Sequence, residues 1–285
     1  MCLCVHYRML LVLIAMFSRS VAFGGESHLQ NSVYIEHTDA MGIMLNSQFP
    51  RYAERSLQSF DSSRRLGSAK VMKYSAPGKL GDDLLWSVSP GKVDGYKVRC
   101  ARNAGEEVLF TAWVQDTALG PRQQLNLNQA DGFQFNSEFN VYRDELHSEK
   151  DSLTLSTLTT FNLFERARSD ILGGPSALRG LMEKGLKGGD VTNENRKVNV
   201  VVARVKGYGM NEHDLETPDS ALIRVIKVFT DVDNLGAGLL DFHQAVAFQM
   251  GRNSAYHLLA RATVTCLCTD AETNSPADIG YIIPG

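Results

Sequence analysis

Two stretches of this chain repeat apolar residues at the three- and four-residue spacing of a helix with one buried face. In the first, Leu45, Phe49, Tyr52, Ala53, Leu57 and Phe60 fall on one stripe. Pro50 fixes where this helix begins. Inside a helix it would remove a hydrogen bond and clash, but in the first turn its missing N–H is not needed. Ser47 is therefore the expected N-cap. The second stretch covers about 153–171.

Around both helices lie shorter runs with strand character. The first half opens with Val33-Tyr34-Ile35 and continues after its helix near 69–74, 84–89, 96–101 and 108–115. The second half opens at 139–142 and continues near 199–205, 221–229, 241–249 and 256–267. Each half reads as a strand, a long helix and then three or four strands in hairpin-like succession. One long helix on an antiparallel sheet buries one face of each, which is an α+β architecture.

The two halves echo each other in sequence. RNAGEEVLFTAWV (102–114) and RNSAYHLLARATV (252–264) share Arg, Asn, Leu, Ala and Val at a shift of 150. Glu54-Arg55-Ser56 and Glu165-Arg166-Ala167 match at a shift of 111. The second copy is thus 39 residues longer between helix and last strand. Most of the excess falls in 172–197, a stretch with Gly-rich and polar ends that reads as a long inserted loop. A polar stretch near residue 125 separates the halves, giving units over 26–125 and 126–285.

The N-terminus reads as a targeting segment. Arg8 precedes nine apolar residues, Met9 to Phe17, and Ser20-Val21-Ala22 supplies small residues for cleavage after position 22. Removing 1–22 leaves 27 basic and 32 acidic residues, a net charge of −5, and three cysteines. Entry into the secretory pathway is the expectation. The Val-Ala-Phe junction also resembles bipartite plastid-import signals. No apolar run reaches the roughly 18 residues that span a bilayer, so no transmembrane span is expected in the mature chain.

A formal charge of only −3 over 285 residues gives no footprint of a nucleic-acid partner. Cys100, Cys266 and Cys268 are an odd set, against a disulfide framework. Cys266-Leu267-Cys268 lacks the spacing and second ligand pair of a metal site, so buried thiols are expected and no metal or cofactor. The chain has no G-x-S-x-G elbow, P-loop, G-x-G-x-x-G or H-E-x-x-H.

The densest chemistry precedes the first helix. EHTDAMGIMLNSQFPRYAERS (36–56) carries H-x-D-x-x-G-x-x-x-N-x-x-F-x-x-Y-x-E through His37, Asp39, Gly42, Asn46, Phe49, Tyr52 and Glu54. This run resembles the 4-hydroxybenzoyl-CoA thioesterase family of hot-dog proteins, as does YSAPGKLGDDLLWSV (74–88). The resemblance covers about 31–116 well and 137–270 more weakly, through the repeat. It implies a double hot-dog: two tandem units, their sheets side by side, forming a pseudo-dimer within one chain. The implied activity is hydrolysis of acyl-CoA or acyl-carrier-protein thioesters.

A helix start offers unpaired N–H groups and partial positive charge, suited to polarising a thioester carbonyl. The N–H groups around Asn46 and Ser47 lie there, seven residues after Asp39. By the resemblance Asp39 is the nucleophile or general base, Gly42 lets the chain turn, and Asn46 completes the catalytic set. His37, Ser47, Phe49 and Tyr52 are candidate substrate-binding residues, His37 and Tyr52 being readable equally as structural. The other reading of Asp39 is a turn residue that satisfies loop N–H groups. Glu54 and Arg55 are expected to pair on the helix surface. The second unit lacks D-x-x-G: Lys150 stands fifteen residues before Glu165, as Asp39 stands before Glu54, so its site is expected to be degenerate. Two further readings remain open. One is a non-catalytic acyl-binding or scaffold protein. The other is a hot-dog dehydratase that would need His243 or His257 turned toward Asp39.

Overall fold

The computed structural model describes residues 21–23, 26–39, 42–91, 95–115, 124–125, 132–149, 152–174, 198–211, 215, 224–249, 255–273 and 275–277. The remainder of the predicted targeting segment and of the 172–197 insertion lies outside them. The chain divides into two compact units. One comprises 1–66 and 72–116, the other 67–71 and 117–285.

Unit 1 contains β1 (Val21–Phe23), β2 (Glu26–Ser32), α1 (Gln48–Phe60), β3 (Ser68–Tyr74), β4 (Asp83–Pro90), β5 (Tyr96–Arg102) and β6 (Glu107–Gln115). Gly67 and the Ser68–Val71 part of β3 count with the other unit. The sheet order is β1-β2-β4-β5-β6-β3. The chain thus leaves β2, crosses through α1 and re-enters the sheet beyond β6. α1 lies against β2, β4 and β5. Its stripe behaves as expected: Phe49, Tyr52, Ala53 and Leu57 are buried against Leu84, Trp86, Val88, Val98 and Phe110. Phe49 stacks on Phe110 at 5.5 Å between ring centroids, and Tyr52 stacks on Trp86 at 5.9 Å. Pro50 is the third residue of the helix, where its missing N–H breaks nothing.

The second unit contains β7 (Gln124–Leu125), β8 (Phe135–Val141), β9 (Leu146–Glu149), β10 (Ser152–Leu155), α2 (Thr157–Ile171), β11 (Val198–Met210), β12 (Arg224–Gly236), β13 (Leu239–Gln249) and β14 (Tyr256–Asp270). The sheet order is β8-β12-β13-β14-β11, with β7 on β14. This is the order of unit 1: the strand before the helix, then the third, fourth, fifth and second. α2 lies against β8, β12 and β13, as α1 lies on the matching strands. Buried Arg168 of α2 donates from Nη1 to Gln244 Oε1 at 2.8 Å, and Gln244 Nε2 donates to the Phe164 carbonyl at 3.0 Å.

Two expected elements are corrected. Val33-Tyr34-Ile35 is not the opening strand, because β2 ends at Ser32 and Ile35–His37 forms a 3₁₀ turn. The second helix begins at Thr157 rather than 153. Leu153 and Leu155 alternate as strand residues in β10, and Ser156 caps the helix. Cys100, Cys266 and Cys268 are buried; burial pushes the thiols of Cys100 and Cys266 up.

Candidate functional site

The loop between β2 and α1 is built by backbone pairing. Val33 N–H donates to the Asp82 carbonyl at 2.9 Å, and Gly81 N–H returns to Val33 O at 3.0 Å. The 3₁₀ turn follows and is closed by a side chain: Tyr34 N–H donates to His37 Nδ1 at 3.2 Å. With Nδ1 accepting, the ring proton sits on Nε2, which lies 3.1 Å from the Tyr52 hydroxyl. His37 is buried. Burial holds its pKa below the usual histidine value, with Arg51 and Arg55 in the same direction and Glu36 opposed. Its contacts tie the turn to α1.

From His37 the chain makes a small hairpin. Leu45 N–H donates to His37 O at 2.9 Å, Thr38 pairs with Met44, and Asp39 N–H donates to Ile43 O at 2.9 Å. Gly42 turns the tip with φ +73°, where a side chain would be strained, and its N–H donates to Asp39 O at 3.0 Å. The return arm also pairs outward, with Met44 N–H on Gly78 O at 2.9 Å and Leu80 N–H on Gly42 O at 2.8 Å. A Cβ at Gly78 would stand 3.2 Å from Met44 Cβ, a tight contact that glycine relieves.

Asp39 is half-buried. Its Oδ1 accepts the Ile43 N–H at 3.0 Å. The carboxylate is therefore folded over its own turn, and the turn-satisfying reading is realised at that oxygen. The return arm then leads into α1. Asn46 is half-buried, and its carbonyl accepts the Tyr74 hydroxyl at 3.4 Å. Gln48 N–H donates to Leu45 O at 3.0 Å.

Ser47 occupies the N-cap position without capping. Its φ/ψ of −66°/−21° are helical, and its side chain makes no cap bond. A cap needs extended backbone to bring the side-chain oxygen back to the second or third N–H. Ser47 Oγ is buried with no hydrogen-bond partner among the described residues. Phe49 and Tyr52 are packed into the aromatic core. Glu54 and Arg55 do not pair: Glu54 Oε1 accepts Leu66 N–H at 3.4 Å, and the Arg55 guanidinium lies 5.1 Å above the Tyr52 ring.

The second unit repeats the entry with different residues. Tyr142 precedes a 3₁₀ turn, Arg143–Glu145, and its N–H donates to Glu145 Oε2 at 3.1 Å, as Tyr34 donates to His37. Counted from this turn, the residue in the place of Asp39 is His147, paired with Thr154, not Lys150. No carboxylate stands there. Ser156 has extended φ/ψ and accepts Thr159 N–H at 3.0 Å. The Thr159 hydroxyl bonds to the Glu145 carbonyl. Thr154 and Thr157 carry buried hydroxyls without a hydrogen-bond partner among the described residues. His243 bonds Thr263 through Nδ1 and Asp233 through Nε2, each at 3.0 Å, and the ring of His257 packs 5.3 Å from that of Phe248. Among the described residues no cluster of His, Cys, Asp and Glu could hold a metal ion, and no helix is long and apolar enough to cross a membrane.

No protein-family model matches this sequence, and no curated protein matches it. Solved structures do. A protein assigned as an oleoyl thioesterase of Lactobacillus plantarum matches with a TM-score of 0.54 at 7% identity, over 90% of this chain and 99% of that one. The 12:0-ACP thioesterase of Umbellularia californica matches at 0.53 and 7% identity, over 85% and 94%. The dehydratase domain from the CurF module of the curacin polyketide synthase matches at 0.50 and 7% identity, over 90% and 98%. Identities this low speak to architecture alone, and thioesterases and a dehydratase share it. The chain has the hot-dog fold.

Proposed function

We propose that this chain is an acyl thioesterase, hydrolysing acyl thioesters of coenzyme A or of an acyl carrier protein, with one working site in unit 1. The reading rests on one observation. The half-buried carboxylate of Asp39 is fixed in a turn whose return arm runs into a helix start left without a side-chain cap. The 4-hydroxybenzoyl-CoA-type motif, the tandem units taken as a double hot-dog pseudo-dimer, and entry into the secretory pathway belong to the same proposal.

In the proposed reaction the N–H groups at the start of α1 hold the thioester carbonyl oxygen. Asp39 then removes a proton from water as the water oxygen attacks the carbonyl carbon. The tetrahedral oxyanion collapses, the C–S bond breaks, and the thiolate takes a proton. The products are a carboxylic acid and a thiol. If Asp39 attacks directly, a mixed anhydride forms first and water then cleaves it. Donors aimed at such an oxyanion contribute about 2.7–4 kcal/mol each.

The test is a panel of acyl-CoA and acyl-carrier thioesters of graded chain length, assayed with the processed chain and with Asp39→Asn. Turnover by the former and its loss in the folded variant support the proposal. Equal turnover by both, or none by either, defeats it. Single turnover in ¹⁸O-water bears on the route, since label in Asp39 establishes the anhydride path with water attacking the aspartyl carbon. His243 spends both ring nitrogens on Asp233 and Thr263, so nothing at that histidine favours a dehydratase.

A further inference from the structure

We infer that Ser47 is a catalytic residue, its hydroxyl donating a hydrogen bond to the carbonyl oxygen of the bound thioester beside the N–H groups of the helix start. The inference rests on the thioesterase reading and adds a side-chain donor to it.

Three observations carry it. Ser47 sits at the N-cap position in helical conformation, so its hydroxyl cannot reach back to cap the N–H groups after it. Its Oγ is buried and has no hydrogen-bond partner among the described residues. The third observation is the other helix. Ser156 stands at the same point of α2, takes extended backbone and caps Thr159 N–H in the ordinary way.

The same residue type at the same place in the same fold is satisfied in one unit and left unsatisfied in the other. A buried hydroxyl without a partner is unfavourable. It is favourable once a ligand oxygen arrives, because a donor in dry surroundings acts strongly on developing negative charge. The unit that leaves its serine unpaired is the unit that holds a carboxylate in the preceding turn.

The experiment compares the processed chain, Ser47→Ala and Asp39→Asn on octanoyl-CoA and octanoyl-carrier thioesters, with thermal unfolding of each. Ser47→Ala is expected to lower kcat roughly 10²-fold, with KM changed less than about threefold and the unfolding temperature unchanged or raised. An unchanged kcat overturns the inference. So does a lowered unfolding temperature with kcat reduced only in step with the folded fraction, the signature of a structural serine.

Should the native chain hydrolyse neither thioester, the hydrolase reading fails by itself. The Ser47 donor is then decided by calorimetry with the octanoyl-CoA ketone analogue in which methylene replaces sulfur. Binding at least tenfold weaker in Ser47→Ala upholds the hydrogen bond from Ser47 to the bound carbonyl while removing its catalytic role. Equal binding, or none to the native chain, overturns it.

Discussion

Replacing His37 with alanine tests whether this residue is the bolt that joins the site loop to α1. The substitution removes the acceptor of the Tyr34 N–H and the partner of the Tyr52 hydroxyl. Each bond contributes about 1 kcal/mol, and stranding a buried hydroxyl adds about 1–3 kcal/mol. The expected loss is therefore about 3–5 kcal/mol. Urea unfolding followed by tryptophan fluorescence reads it selectively, since both tryptophans of the chain, Trp86 and Trp113, belong to unit 1, and Trp86 stacks on Tyr52. Adding Tyr52→Phe closes a double-mutant cycle. Because the two substitutions share one bond, and Phe carries no hydroxyl to strand, their joint loss should fall short of the sum by about 2–4 kcal/mol. Acid adds a second readout. Burial keeps the folded ring below the pKa of the unfolded chain, near 6.5, so the unfolded state takes up the proton first. Stability is full above that pH and declines as pH falls below it. His37→Ala should flatten this decline. Strict additivity in the cycle, or an unaltered acid slope, would refute the bolt.

Three other outcomes follow from the packing. Phe49→Ala, which empties the space between Phe110 and Trp86, should destabilise unit 1 by about 3–5 kcal/mol in the same urea assay. Ser156→Ala should lower stability by about 0.5–2 kcal/mol, measured by circular dichroism. The opposite sign from Ser47→Ala is the informative part. Cys100, Cys266 and Cys268 are buried, so in the processed chain a thiol reagent should label them only after denaturant is added, and labelling of the native protein would contradict their packing.

Much of the architecture was legible because periodicity reports burial directly. The stripe Phe49, Tyr52, Ala53, Leu57 and the strand runs of unit 1 came through to within a residue or two. The opening strand did not. ESHLQNS (Glu26–Ser32) has too few apolar residues to show an alternation, while Val33-Tyr34-Ile35 looks like a strand and is not one. Ile35 is 75% exposed there, because the His37 ring draws the Tyr34 N–H into a turn. The start of α2 was misplaced for the opposite reason. Leu153 and Leu155 satisfy both a two-residue and a helical spacing, and only the cap at Ser156 decides between them. The sequence also repeats Val-Tyr at 33–34 and 141–142, at the entry to both turns. That echo, and not the Glu-Arg match, aligns the two sites and brings His147 opposite Asp39.

The chemistry of the site was legible in part. Asp-x-x-Gly announces a tight turn with a carboxylate at its base, and the structure has one. The state of Ser47 was not, because serine before a helix ordinarily signals a cap. Whether it serves as one depends on a backbone angle that the pairing of 37–39 and 78–80 with the return arm imposes.

The contrast between the two helix starts bears on why one site is expected and not two. Unpaired buried hydroxyls occur in both units, at Ser27 and Ser47 in one and at Thr154 and Thr157 in the other, so orphan hydroxyls by themselves single out neither. A threonine, however, also carries a methyl that fills space like that of valine, and its burial is favourable whatever its oxygen does. Serine has no such compensation, and of the two orphan serines only Ser47 stands at a helix start, Ser27 lying within β2. At the start of α2 Ser156 and Thr159 do spend their hydroxyls internally, on the Thr159 N–H and the Glu145 carbonyl. Glu145 in turn pairs with Arg166 at 3.2 Å. Where unit 1 has a carboxylate in the turn, unit 2 has an imidazole. A thioester brought to α2 would meet a capped helix and no anionic base. Restoring only the base, by His147→Asp, should therefore leave that unit inactive in an Asp39→Asn background; turnover in that double variant would mean that the cap does not matter.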